Sequence, residues 1–176
     1  MKIKSNKFKD LKIISSKVYI DKRGTFREVF KTKFFKSKKF IFTCVSSSKK
    51  NVLRGMHIQT KNPQGKYLTV LKGEIYDVSV DLRKNSKNFG KCFKVNLSDK
   101  NGVSVYIPAG FAHGFIGLKK ENIISYHCTN YRSKKHELGI IWNDKDLNIK
   151  WPIKKPILSN KDKKNISFKD YLKKNG

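Results

Sequence analysis

From residue 39 onward the chain is a series of short β-prone segments, each closed by a turn signal. That rhythm constrains the fold more than any other feature. Ile75–Leu82 shows it best: Tyr76, Val78, Val80 and Leu82 alternate with Asp77, Ser79 and Asp81, the two-residue period of a strand with one face in a core. Phe40–Val45 and Tyr67–Leu71 precede it. Cys92–Leu97, Val103–Ile107, Phe115–Leu118, Ile123–Cys128 and Leu138–Trp142 follow. Lys72-Gly73, Lys84-Asn85-Ser86, Asp99–Gly102, Pro108-Ala109-Gly110 and Lys119–Asn122 lie between them. Many short strands at this spacing predict an all-β sandwich or barrel. One short helix is expected at the tail, because Phe168, Tyr171 and Leu172 share a face over Phe168–Lys174.

The chain has 176 residues, 38% hydrophobic and 12% aromatic. That is enough for one packed domain and too apolar for a disordered chain. No apolar run approaches the ~20 residues needed to span a bilayer. Cys44, Cys92 and Cys128 are odd in number and scattered, which excludes a disulfide scaffold. The Lys-rich start over 1–17 is not followed by the apolar stretch of a signal peptide, so the cytosol is the expected compartment. No internal repeat and no linker divides the sequence. A single domain is expected over 1–176, with an N-terminal arm over about 1–38, a barrel over about 39–145 and a tail over about 146–176.

Lys and Arg number 41 against 13 Asp and Glu, a formal net charge of +28. Such a charge points first to a polyanion. Yet only Arg23, Arg27, Arg54, Arg83 and Arg132 are arginines, and base readout and bidentate phosphate recognition favour that planar fork. The lysines fall in short runs spread over the whole chain, such as Lys38-Lys39, Lys119-Lys120 and Lys163-Lys164. They read as a solvated surface, with neither nucleic acid nor membrane as partner. A basic nucleic-acid-binding module stands as the alternative from a different class.

Two histidines carry the functional signal. Gly102-x5-Pro108-Ala109-Gly110-Phe111-Ala112-His113 matches the second cupin motif, G-x5-P-x-G-x2-H, in which the turn aims the histidine into a jelly-roll barrel. The first cupin motif, which supplies further metal ligands, is degraded: His57 is followed by Gln59 where a histidine belongs, and Lys66 occupies the acidic position. A metal needs neutral or anionic donors, and an ammonium there repels the cation. So a cupin-type jelly-roll barrel with short peripheral helices is expected, without metal or other cofactor. A metal-dependent cupin is the rival that this lysine argues against. His127 and His136 are expected at the surface, with His127 facing away from its neighbour Tyr126.

These residues resemble the dTDP-4-dehydrorhamnose 3,5-epimerases, which are metal-free cupins. Asp21–Glu28 is similar to the family's D-x-R-G-x-F-x-E, and Val52–Gln59 to its V-L-R-G-[LM]-H-x-Q, with Asn51 where the family has glycine. Gln64-Gly65-Lys66, Gly73–Arg83 and Ile107–Phe115 resemble further family segments. So do Tyr126-x-Cys128-Thr129, Glu137-x-Gly139, Trp142–Asp144, Ile149–Pro152 and Ser159–Asp162. The matches run in order over roughly residues 20–162.

The resemblance implies an isomerase acting on dTDP-4-dehydro-6-deoxy-D-glucose, inverting C3 and C5 to give dTDP-4-dehydro-L-rhamnose for a cell-surface polysaccharide. A C–H beside a ketone is removed as a proton and returned from the other face. That needs a base, an acid across the ring, and a charge at the enolate oxygen. His57 suits the base, since imidazole titrates near neutrality. Tyr126 suits the acid, and Lys66 the enolate oxygen with a hydrogen bond from His113. From the residues alone, Asp162 reads as a helix cap or a tail charge among lysines, Tyr126 as a core strand residue and Lys66 as one more surface lysine. The resemblance instead makes Asp162 the partner of His57. It also implies Arg23 and Arg54 at the diphosphate, Phe26 and Glu28 at the nucleotide, Gln59 and Lys161 as further substrate contacts, and a homodimer in which the N-terminal stretch serves the adjoining subunit.

Two departures stand out. Phe42-Thr43-Cys44 replaces the family's Gln-x-Asn, and Asn130-Tyr131-Arg132 stands where two tyrosines are common. They leave open a 3-epimerase acting on C3 alone.

Overall fold

A computed structural model describes residues 1–4, 6–8, 10–35 and 37–175. Thirteen strands are assigned among them: β1 (Lys2–Lys4), β2 (Lys12–Ser15), β3 (Tyr19–Asp21), β4 (Gly24–Phe26), β5 (Phe42–Lys49), β6 (Leu53–Gln59), β7 (Lys66–Lys72), β8 (Glu74–Asp81), β9 (Cys92–Ser98), β10 (Val103–Ile107), β11 (Phe111–Gly117), β12 (Glu121–Cys128) and β13 (Glu137–Gly139). Two short helices close the chain, α1 (Asn160–Lys163) and α2 (Phe168–Asn175).

The strands form a six-stranded sheet in the order β1-β2-β10-β7-β12-β5 and a five-stranded sheet in the order β13-β6-β11-β8-β9. Their facing sides enclose Leu68, Val70, Ile75, Leu97, Val105, Phe111, Phe115 and Ile124, giving the expected jelly-roll barrel. Strand alternation sends the neighbouring residues outward. Met56, Ile58, Val78 and Val80 are covered by Phe168 and Tyr171 of α2. On the other sheet Tyr67 and Tyr106 are covered by Phe35, with Phe30, Phe34 and Phe40 packed around them. All fourteen lysines of the seven Lys-Lys pairs over 38–174 are exposed, and among the described residues no helix is long and apolar enough to cross a membrane.

Several boundaries differ from the sequence-based expectation. The sheets begin well before residue 39. β2 pairs with β10, and Phe8 and Leu11 lie in the barrel interior at 1% and 3% exposure. The lysines between them hide the pattern, because a two-residue period needs an uninterrupted run to be read. β6 was not anticipated as a strand, since Arg54, Gly55 and His57 dilute its apolar content. β11 starts at Phe111 rather than Phe115, and β13 ends at Gly139 rather than Trp142.

Gly55 explains how β6 is seated. A Cβ there would stand 2.5 Å from the Gly114 Cα, and φ is +125°. Only glycine admits so close an approach in that backbone conformation. The β6–β11 register shifts beside it, between His113 and Phe115, after setting His113 directly opposite His57.

The hairpin β3–β4 is different. All six of its strand residues are exposed, including Ile20 at 78% and Phe26 at 68%.

Candidate active site

A cavity of about 530 Å³ opens into the barrel. The five-stranded sheet contributes His57 and His113, the six-stranded sheet contributes Lys66 and Tyr126, and α1 adds Asp162. Antiparallel registers bring each set together. Cys128 stands opposite Lys66 and Tyr126 opposite Leu68, so Lys66 and Tyr126 share the inward face as diagonal neighbours. The two histidines thus look across the cavity at the tyrosine and the lysine.

His57 and Asp162 lie 105 positions apart in sequence, yet the Nε2–Oδ1 distance is 2.6 Å. The carboxylate side chain is 5% exposed and the imidazole 26%. Burial works to raise the Asp162 pKa, but the hydrogen bond and charge of His57 outweigh it and hold the carboxyl below its usual value. Asp162 is not the cap of α1: Ser159 is, its Oγ accepting the Asp162 N–H at 3.0 Å. The capped backbone frees the carboxylate to turn inward.

Tyr126 lies within 3.2 Å of Ser46 Oγ on β5. Burial raises its pKa, so the phenol is neutral and a donor at neutral pH. Lys66 shows the opposite effect of the same physics, its pKa lowered by burial. His113 Nε2 is 2.7 Å from Oδ2 of Asp77, a wholly buried carboxylate. Among the described residues no three His, Cys, Asp or Glu side chains converge as a metal ion would require.

At the rim, Arg54 donates from Nε to Ser48 Oγ at 2.9 Å and from Nη2 to the Ser47 carbonyl at 3.0 Å. Glu137 accepts from both Arg132 and Lys161. Burial alone would raise its pKa; the two cations bring it down to about 2.

A family model described as dTDP-4-dehydrorhamnose 3,5-epimerase matches residues 5–170. The chain belongs to this family. It is 44% identical over 158 residues to the Methanothermobacter thermautotrophicus dTDP-4-dehydrorhamnose 3,5-epimerase, covering 86% of this chain and 85% of that protein. The crystal structure of the Elizabethkingia anophelis enzyme of the same name superposes with a TM-score of 0.89 at 41% identity, over 97% of both chains. A Legionella pneumophila dTDP-6-deoxy-D-glucose-3,5-epimerase in complex with dTDP-4-keto-L-rhamnose gives a TM-score of 0.89 at 39% identity, covering 94% of this chain and 92% of that one.

In this epimerase-family chain, His57, Lys66, Tyr126, Asp162, Arg54, His113, Gln59 and Lys161 all line one cavity. The Gln59 amide is engaged with the Asn62 and Tyr131 carbonyls and the Ser133 N–H, bracing two loops. Arg23, Phe26 and Glu28 are not in that cavity. Arg23 pairs with Asp21 at 2.7 Å, Glu28 with Lys31 at 2.6 Å, and Phe26 packs beside Tyr19.

Ser46, Asp77, Glu137 and Ser159 were not singled out by sequence reasoning. Alternation along β5 puts Ser46 on the face of Phe42 and Cys44, a signal available in principle. The pairing of Glu137 with Lys161 spans loops that no local pattern predicts.

His127 and His136 are not simple surface residues. His127 does face away from the cavity, but Phe30 stacks on it with ring centroids 4.3 Å apart, and burial lowers its pKa. His136 is half-buried and bonded through Nδ1 to Ser133 Oγ at 2.9 Å.

Proposed function

We propose that the cavity epimerises a dTDP-4-keto-6-deoxy sugar at C3 and C5 by proton transfer alone. The observation that carries this reading is the His57–Asp162 pair on one wall facing Tyr126 on the other. His57, oriented by Asp162, takes the proton α to the C4 ketone. The electron pair moves onto the carbonyl oxygen, forming an enolate that Lys66 and His113 stabilise. The enolate carbon then takes a proton from the Tyr126 hydroxyl on the opposite face; His57 releases its acquired proton to solvent, and the Tyr126 phenolate regains one from it. Each inversion is redox-neutral and calls for no cofactor.

Arg54 and Lys161 serve the diphosphate at the rim, with the guanidinium fork suited to bidentate contact. We further propose a homodimer in which the β3–β4 hairpin carries Arg23, Phe26 and Glu28 to the neighbouring subunit's cavity. An exposed two-stranded ribbon is at most marginally stable alone, which supports a docked hairpin. The cytosol is the proposed compartment, since three free thiols persist in a reducing environment.

The test is solvent deuterium incorporation into dTDP-4-dehydro-6-deoxy-D-glucose, read by NMR at each carbon. Label at both C3 and C5 with inversion is the expected result. No label at either carbon refutes the proposal. Label at C3 alone selects the narrower reading, left open by Phe42, Cys44 and Arg132, which line the cavity where the chain departs from the family pattern.

A further inference from the structure

Asp162 is carried by a helix of only four residues, too short to be stable by itself. Its front end is tied by the Ser159 cap. The back end is tied by Asn165. The Asn165 N–H closes the turn onto the Asp162 carbonyl at 3.5 Å. Its side-chain Nδ2 donates to the Gly55 carbonyl at 3.2 Å, two residues before His57 on the same strand. The amide also lies flat against Gly139, where a Cβ would stand 2.0 Å from Oδ1 and 2.6 Å from Nδ2. Gly139 is the register partner of His57 on β13. Beyond Asn165 the chain is pinned again, with Ile166 bonded to the backbone of Gly139 and Ile141. A single amide therefore fastens the acid-bearing turn to the strand that carries the base and packs it against the neighbouring strand β13.

We propose that Asn165 is a positioning residue that sets Asp162 against His57, with Gly139 as the cradle that lets it approach. This rests on the reading of His57 as the base. Its role is to hold the 2.6 Å contact in register; it touches neither substrate nor the transferred proton. Misplacement of a catalytic group by about 1 Å costs up to ~100-fold in rate, and sites hold their geometry through such supporting contacts.

The experiment compares the full chain with Asn165→Ala, Asn165→Asp and Asp162→Asn. Asn165→Asp keeps the shape but loses the donor to Gly55, and serves if the alanine variant fails to fold. Two quantities are read: steady-state kinetics, and the 15N shifts of the His57 ring in histidine-labelled protein, which report the bond at Nε2. In a folded Asn165 variant kcat is expected to fall about tenfold with KM within twofold. The Nε2 shift moves toward its value in Asp162→Asn, while melting stays close to that of the parent. Wild-type ring shifts in either folded Asn165 variant overturn the proposal, as does a kcat within twofold of wild type. Failure of the base reading itself looks different: His57→Ala would retain activity, while the ring shifts still report on Asn165.

Discussion

The cavity and the β3–β4 hairpin hold two halves of one expected site in opposite physical states. In the cavity every proton-transfer candidate is tied down: His57 by Asp162, His113 by Asp77, Tyr126 beside Ser46. On the hairpin and just beyond it, Arg23 and Glu28 are paired with their sequence neighbours Asp21 and Lys31 among the described residues, and Phe26 is two-thirds exposed. Preorganised dipoles act in catalysis because they need no rearrangement when charge moves. The proposed chemistry is thus complete within one chain, whereas part of the proposed substrate grip is built to be completed by another.

The largest effect separates the halves most sharply. His57→Ala should reduce C–H exchange by about 10³-fold, within the range that general base catalysis supplies, with circular dichroism and melting little changed. An active variant would remove the cavity's claim to the base. Tyr126→Phe should cut formation of inverted product about 10²-fold while wash-in of deuterium at the abstracted position persists. Loss of both together would assign Tyr126 to substrate binding instead.

Hairpin changes should behave differently. Arg23→Ala is expected to raise KM about tenfold, the loss of one charge-assisted hydrogen bond, and to leave kcat nearly intact. Mixing equal amounts of His57→Ala and Arg23→Ala chains by unfolding and refolding tests the division directly. In a symmetric dimer with exchanged arms about one quarter of the sites regain a wild-type set. No recovery beyond the sum of the parents would break the comparison.

A separate effect, on acid stability rather than turnover, is expected at the rim of the cavity. Glu137 falls from an ordinary 4.5 to about 2 in the folded chain. Its depressed pKa means the stabilisation is fully present above pH 4.5 and is lost as pH falls toward 2, an effect of order 3 kcal/mol. Glu137→Gln should be less stable than the parent at pH 7 in urea melts, and the gap should close as pH falls through this window. A pH-independent gap would show that shape rather than charge is at work.

Legibility in the sequence followed the range of the interaction. β10 was predicted to the residue, because its alternation runs unbroken into Pro108. His113 was placed inside the barrel because the Pro-x-Gly turn is local. The tail helix was found from three apolar residues on one face. β1 and β2 were missed because their lysines interrupt the period, and β6 because its glycine and histidine serve the site rather than the strand. Asp162 was assigned through family resemblance, since from its neighbours alone it reads as a cap, a job that Ser159 holds.

Local patterning is enough to specify an all-β barrel, the two histidines inside it, and a lysine where a metal-binding cupin needs a carboxylate. Those follow from periodicities and turns spanning a few residues. Packing of the folded chain brings Asp162 to His57, clamps Glu137 between Arg132 and Lys161, and leaves Arg23, Phe26 and Glu28 outside the cavity. Each is a contact, or the lack of one, set by how sheets, loops and tail pack, and a linear pattern carries no distance between residues 105 positions apart.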